Sequence, residues 1–202
     1  IEPPPDPRPS RPAARQRWGI GAEGSTVLLV FGGSQGSAAL NAVVDGWIAA
    51  GLPDGLQVIW ATGPTHYARH AGRASARVIV RDYLSPIADA YAVADLALTR
   101  AGAMTTAELC AWGIPALLVP LPTAAADHQS ANARSLAEAG AARWIPESEA
   151  TAARIGAEVA ALLADSAALR ALALGAASRA RPDAARDIAV RVSRLLDAGG
   201  GR

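Results

Sequence analysis

The chain has 202 residues, enough for one domain with a sizeable core, and its 19 basic and 18 acidic side chains leave a formal charge of +1. This balance gives no support for nucleic acid or an acidic membrane surface as the partner. No run approaches the ~18 consecutive apolar residues that span a bilayer, no signal-peptide pattern is present, and the single cysteine, Cys110, cannot form an internal disulfide. These features predict a soluble, cytoplasmic protein.

The first predicted segment is a connector. Residues 1–12 contain six prolines, and proline removes a backbone donor and fixes its own φ, which disfavours both strand and helix. We therefore expect an extended conformation there.

From residue 26 onward, continuous apolar runs alternate with helical patterns. In chain order we predict strand 27–31, helix 38–49, strand 57–61, strand 77–80, helix 86–94, strand 95–99, helix 104–112, strand 115–119, helix 128–139 and strand 142–145. Ser85 is expected to cap the second of these helices, with Pro86 at its first position. Residues 149–198 read as helices broken near residues 165 and 181. Six strands alternating with helices predict an α/β fold with a doubly wound, Rossmann-like parallel sheet.

Ligands of such sheets bind at the carboxyl ends of the strands, where the strand order reverses. Four segments follow predicted strands and are expected to converge on one crevice: residues 32–36, 83–85, 101–105 and 120–127. The first, Gly32-Gly33-Ser34-Gln35-Gly36, allows a backbone to approach a diphosphate closely, with Ser34 donating a hydroxyl. The alternative is that Ser34 or Ser37 only caps the next helix. The glycine spacing and the lack of an acidic residue after the second strand disfavour a nicotinamide or flavin cofactor.

Glu108 follows Thr105 by three residues near a predicted helix start. Its carboxylate could accept hydrogen bonds from a ribose diol. The same spacing forms a capping box, which the spacing alone favours. Gln129 and Asn132 share one helix face, where they could bind sugar hydroxyls or form a solvated first turn. His66 and His70 are expected to be surface residues, because two histidines without further ligands make a weak metal site.

Four blocks carry a resemblance: Gly32-Gly33-Ser34-Gln35-Gly36-Ser37 with Leu40-Asn41, Arg100-Ala101-Gly102-Ala103-Met104-Thr105 with Glu108-Leu109, Gly113-Ile114-Pro115, and Asp127-His128-Gln129 with Asn132-Ala133. In order and spacing they resemble the MurG family of GT-B glycosyltransferases over about residues 25–195. GT-B enzymes have two Rossmann-like domains, and this chain is similar to the C-terminal, donor-binding half. The resemblance implies an interdomain linker at residues 1–24, a donor-binding domain at 25–198 and a flexible tail at 199–202.

The resemblance also implies the contacts of the donor, UDP-N-acetylglucosamine. Gly33 and Ser34 are expected at the diphosphate, Leu84 and Ile87 at the uracil, and Glu108 at the ribose. Amides of Ala103, Met104 and Thr105 are expected at sugar and phosphate. The sugar hydroxyls are expected to be read by Gln129, Asn132 and His128.

The implied reaction is an inverting transfer of N-acetylglucosamine to undecaprenyl-diphospho-muramoylpentapeptide in peptidoglycan synthesis, with UDP leaving. No cofactor or metal is expected, and no catalytic residue is assigned in this chain. The implied partners are an N-terminal acceptor domain or separate chain and, through it, the lipid-linked acceptor at the cytoplasmic face of the membrane. Three alternatives stay open: a GT-B enzyme with a glycolipid or natural-product acceptor, a stand-alone nucleotide-sugar-binding subunit, and a noncatalytic relative in which Ser34 and Glu108 are structural.

Overall fold

A computed structural model of the chain describes residues 4–21 and 24–199. Six strands form one parallel sheet: β1 (Thr26–Phe31), β2 (Leu56–Ala61), β3 (Val78–Arg81), β4 (Leu96–Thr99), β5 (Ala116–Leu118) and β6 (Ala142–Trp144). Their order is β3-β2-β1-β4-β5-β6. Successive strands are added on one side of β1 as far as β3 and on its other side from β4 onward, so the strand order reverses between β1 and β4. This is the predicted doubly wound topology, and all six predicted strands are confirmed.

The described residues contain nine α-helices: α1 (Arg11–Trp18), α2 (Ala38–Ala50), α3 (Tyr67–His70), α4 (Ile87–Val93), α5 (Ala103–Trp112), α6 (His128–Glu138), α7 (Ala152–Ala164), α8 (Ser166–Ser178) and α9 (Ala184–Gly199). Taken singly, none of these helices is both long and apolar enough to cross a membrane, and only α7 and α8 together, bent by 95°, pass that test as a pair.

The core lies on both faces of the sheet, because successive side chains of a strand point to opposite faces. Val27, Leu29 and Phe31 of β1 pack with α1, α4, α5 and α6. Leu28 and Val30 pack on the other face with α2 and α7. Strands covered on both faces need apolar side chains at every position, which explains the continuous apolar runs.

The ends of the central strands are level with one another. Phe31 pairs with Ala61 of β2 on one side and with Thr99 of β4 on the other. The loops that follow β1, β2 and β4 therefore leave the sheet from one common edge.

The N-terminal segment differs from the expected connector. Residues 4–10 are not helical, but α1 begins at Arg11, where Ser10 Oγ accepts a hydrogen bond from the Ala13 amide. Pro12 lies in the first turn, where a helix tolerates proline because the missing N–H would have no partner. Helix α1 packs against α4, and Arg17 pairs with Asp89 at 2.5 Å.

The proposed linker at 1–24 and tail at 199–202 lie partly outside the described residues, which exclude 1–3, 22–23 and 200–202. Within them, Gly199 is the last residue of α9.

Two local predictions are wrong. Helix α4 begins at Ile87 with Pro86 in the capping position, so Ser85 does not cap it. His70 is buried, with 5% of its surface exposed, and its ring lies 4.9 Å from that of Trp60. Its Nδ1 lies 3.1 Å from Asp45 Oδ1, which gives the buried ring a polar partner.

Candidate functional site

A cavity of about 220 Å³ opens at the carboxyl edge of the sheet, beside the reversal between β1 and β4. Six of the predicted site residues line it: Gly33, Ser34, Leu84, Ile87, Thr105 and Glu108. Phe31, Ala61, Asp82 and Tyr83 complete the wall. Tyr83 lies in the segment 83–85 that was expected at this crevice, whereas the other three were given no role. The predicted convergence of the loops after β1, β3 and β4 is therefore present.

The glycine turn after β1 has a backbone that only glycine fits. Gly33 and Gly36 have φ of +92° and +77°, and the Gly36 amide donates to Gly33 O at 3.0 Å. A Cβ on Gly36 would lie 2.0 Å from Thr62 O, and one on Gly63 would lie 2.2 Å from Gln35 O. The turn after β1 and the turn after β2 thus pack backbone against backbone.

The two serines of this turn have different roles. Ser37 is the N-cap of α2, since its Oγ accepts from the Leu40 amide at 3.3 Å. Ser34 is exposed, lines the cavity and does not cap the helix. Its hydroxyl is therefore placed to meet a ligand.

Glu108 is not part of a capping box. Helix α5 begins at Ala103 with Gly102 in the N-cap position, so Thr105 and Glu108 both lie inside the helix. The carboxylate is half-buried at the cavity wall, and Oε2 accepts a hydrogen bond from Tyr91 Oη at 2.7 Å. No ion pair to Glu108 exists among the described residues. A carboxylate without a cation beside it suits a ligand that brings hydroxyl donors.

The first turn of α5 leaves backbone donors unused within the helix. Its first intrahelical bond runs from the Thr106 amide to Gly102 O at 2.9 Å. The amides of Ala103, Met104 and Thr105 therefore have no partner within the helix. Among these residues Thr105 lines the cavity, while the Met104 side chain is 58% exposed.

A second hollow, of about 310 Å³, contains Gly32, Gly36, Ser37, Arg100, Gln129 and Glu147 among its lining residues. The glycine turn contributes residues to both hollows. Leu121 also lines the second hollow and brings the loop after β5 to the same edge.

Gln129 and Asn132 are partly occupied by contacts within the protein. Gln129 Oε1 accepts from the amides of Ala101 and Leu121, at 3.2 and 3.0 Å, and Asn132 Nδ2 donates to Ala101 O at 3.0 Å. Both side chains brace the turn after β4, and Nε2 of Gln129 and Oδ1 of Asn132 are left for a ligand. This bracing was not predicted from the sequence.

His128 is exposed at the start of α6 and does not line either hollow. Its Nδ1 lies 2.8 Å from Ala125 O, and a carbonyl can only accept, so this nitrogen carries the ring proton.

Arg100 was quoted as part of a motif but given no role, yet it joins three parts of this edge. Only 6% of its surface is exposed. Its Nη2 donates to Ser37 Oγ at 2.7 Å and its Nη1 donates to the carbonyls of Val119 and Pro120, both at 3.1 Å. It also pairs with Glu147. An arginine directly after an apolar strand was the available signal.

Asn41 is a second buried polar residue without a predicted role. Its Nδ2 donates to Thr62 O at 2.7 Å, and its Oδ1 accepts from Trp60 Nε1 at 3.0 Å. These bonds tie α2 to the end of β2, next to the contact between the two glycine turns.

Comparison with known proteins is consistent with this geometry. The sequence matches the family described as Glycosyltransferase family 28 C-terminal domain over residues 27–188. A relative from Salinibacter ruber is 43% identical over 92% of this chain and 50% of its own length. Another, from Alkalilimnicola ehrlichii, is 43% identical over 85% of this chain and 49% of its own length. Both are named UDP-N-acetylglucosamine–N-acetylmuramyl-(pentapeptide) pyrophosphoryl-undecaprenol N-acetylglucosamine transferase.

The crystal structure of Acinetobacter baumannii MurG matches with a TM-score of 0.75 and 28% identity, over 93% of this chain and 54% of that one. The chain spans about half the length of the curated relatives it matches. Since the family match extends over most of the chain, the protein belongs to the C-terminal domain family of glycosyltransferase family 28.

Proposed function

We propose that this chain binds UDP-N-acetylglucosamine and is the donor-binding part of an enzyme that transfers N-acetylglucosamine to a lipid-linked muramoyl-pentapeptide. The observation that carries the proposal is that the Glu108 carboxylate, which pairs with no cation among the described residues, lines the same cavity as the glycine turn. The names of the two relatives supply the donor and the acceptor.

Charge decides which end of the nucleotide lies where. A phosphate beside Glu108 would be repelled, whereas a ribose diol offers the hydroxyl donors that a carboxylate accepts. Leu84 and Ile87 provide the apolar wall for the uracil. The diphosphate then falls at Gly33 and Ser34, close to the N-terminus of α2, where the helix dipole favours negative charge.

The sugar extends from the diphosphate toward the second hollow. Gln129 Nε2, Asn132 Oδ1 and His128 are the groups that would read its hydroxyls. The amides of Ala103, Met104 and Thr105 add donors for sugar and phosphate oxygens.

The reaction that fits this arrangement is an inverting displacement. The acceptor hydroxyl attacks the anomeric carbon, the bond to the diphosphate oxygen breaks, and UDP leaves. Negative charge grows on the departing diphosphate, and Ser34 and the helix N-termini stabilise it without a required metal. We assign the group that deprotonates the acceptor to an N-terminal domain or partner chain, which also binds the lipid at the cytoplasmic face of the membrane.

Calorimetric titration of this chain with UDP-N-acetylglucosamine, UDP-glucose and NADH, in buffer containing EDTA, tests the proposal. We expect binding of the first, weaker binding of the second and none of NADH. Glu108→Ala should reduce affinity about tenfold or more, because charge-assisted hydrogen bonds to the ribose are lost.

Glu138→Ala is the matched control, since Glu138 is exposed on α6 and lines neither hollow. If Glu108→Ala instead lowers the stability of the chain and leaves its UDP affinity unchanged, the result would support a noncatalytic relative in which that residue is structural.

A further inference from the structure

The Glu108 carboxylate is held by a residue that takes no part in the proposed nucleotide contacts. Tyr91, on α4, has 3% of its surface exposed. Its ring centroid lies 6.4 Å from that of Phe31 and 5.7 Å from that of Trp112. These contacts fix the ring, and the hydroxyl donates to Glu108 Oε2 at 2.7 Å.

This hydrogen bond is the one partner that the described residues give the Glu108 carboxylate. A glutamate has three rotatable bonds, and ordering such a side chain costs conformational entropy. Tyr91 has only two rotatable bonds before its ring, and both are fixed by packing. The phenol therefore orders the carboxylate before a ligand arrives.

We propose that Tyr91 is a positioning residue for nucleotide recognition: its hydroxyl holds Glu108 so that Oε1 and the remaining lone pair of Oε2 accept the two ribose hydroxyls. This inference rests on the proposed function and adds the group that makes recognition of the diol selective. Ordering the carboxylate in advance reduces the entropy lost on binding.

The protonation state of the phenol agrees with this role. Burial, and then the hydrogen bond to Glu108, raise the pKa of Tyr91 above its usual range. The hydroxyl thus remains a donor at neutral and moderately alkaline pH.

Tyr91→Phe removes the hydroxyl and keeps the ring contacts. The test compares the affinity of the chain for UDP and for 2′,3′-dideoxy-UDP, which lacks both ribose hydroxyls. In the variant we expect UDP to bind about fivefold more weakly and the dideoxy nucleotide to change by less than about twofold. A merely structural role would weaken both nucleotides alike.

The control is Tyr67→Phe, the same substitution at a tyrosine that is 38% exposed on α3 and outside the cavity. It should leave both affinities unchanged. The stoichiometry measured by calorimetry gives the fraction of the protein that is able to bind. Since this fraction is the same for both nucleotides, partial unfolding of Tyr91→Phe does not alter the ratio of the two affinities.

A double variant tests whether Tyr91 acts through Glu108. In a Glu108→Ala background, Tyr91→Phe should change UDP affinity by less than about twofold, because the group it positions is already gone. Two results would overturn the inference. One is a ratio of UDP affinity to dideoxy-UDP affinity that is as high in Tyr91→Phe as in the unaltered chain. The other is a loss of UDP affinity on adding Tyr91→Phe to Glu108→Ala that is as large as in the single Tyr91→Phe variant. Failure of the unaltered chain to bind UDP at all counts against the proposed function instead.

Discussion

Asp45 accepts hydrogen bonds from two side chains beyond the end of β2. Arg73 donates to both of its oxygens, at 2.8 Å each, and His70 Nδ1 lies 3.1 Å from Oδ1. The hydrogen bond from Arg73, more than that from His70, lowers the pKa of Asp45 from 3.8 to about 2. Folding therefore favours the ionised carboxylate.

We expect Asp45→Asn to destabilise the protein at neutral pH and to matter less in acid. Because the folded-state pKa lies below the unfolded value of 3.8, the stabilisation is complete above that value and is lost as the pH falls toward about 2. Because 27% of the Asp45 side chain is exposed, we expect this stabilisation to be on the order of 1 kcal/mol at pH 7. Urea unfolding of both proteins at pH 7 and pH 2.5 measures it, and a difference that does not shrink at the lower pH contradicts this account.

The environment of single side chains was the part least accessible from sequence. His70 is buried because Asp45 and Trp60, from α2 and β2, meet it in the fold. Spacing along the chain, which showed only His66 four residues away, carries no information about those partners. Ser34 and Ser37 were distinguished for the same reason only once the start of α2 was known.

At the scale of elements, Arg100 connects the cap of α2 to the end of β5 and to the turn at Glu147. Arg100→Met keeps most of the side-chain length and removes the charge and the donors. We expect the free energy of unfolding to fall by about 2–4 kcal/mol, because Glu147 and Ser37 lose a buried partner. UDP affinity should fall as well, since the glycine turn and the start of α2 become less ordered.

The matched control for this variant is Arg143→Met. The Arg143 side chain is 45% exposed and pairs with Glu158 at 3.3 Å. Its loss should change stability by less than about 1 kcal/mol. If urea unfolding shows a similar loss of unfolding free energy in both variants, the buried contacts of Arg100 do not contribute more to stability than an exposed ion pair.

Elements with a strong apolar pattern were predictable, and their ends were not. The sheet strands could be read because both faces are covered, as in β1 and β2. The start of α5 was predicted to within one residue, but the capping-box interpretation of Thr105 and Glu108 was wrong, because Gly102 occupies the N-cap without a side-chain bond. Helix α1 was missed because its ion pairs with distant residues, such as Asp89, are not visible in a proline-rich, basic segment.

At the scale of the whole molecule, helix α1 and Ile20, which precede the first strand, are packed into the fold. Ile20 has 5% of its surface exposed and lies in the core with Ala14 of α1. We expect Ile20→Ala to lower the free energy of unfolding by about 2–4 kcal/mol, through lost burial and the cavity left behind. Val192→Ala on α9, where the side chain is 49% exposed, should have little effect. Thermal unfolding of the two variants compares them, and a neutral Ile20 variant would argue against docking of this segment.

The candidate site was predictable to the extent that topology determines it. Residues following β1 and β4 had to meet at the reversal of strand order, and Gly33, Ser34, Thr105 and Glu108 do. Gln129 and Asn132 were placed at the right edge, but their hydrogen bonds to the turn after β4 depend on exact backbone positions. Patterns in sequence do not reach that precision.

The contact between the turns at Gly36 and Gly63 limits how this surface can change under selection. A side chain at either position meets the backbone of the other turn, at 2.0 and 2.2 Å, so neither residue can mutate and be compensated by a smaller residue opposite. The first of these loops carries Gly33 and Ser34 to the cavity wall, and Ala61, at the end of β2, precedes the second. An inhibitor that binds mainly the backbone of this wall would therefore meet a surface with few single-substitution routes to resistance.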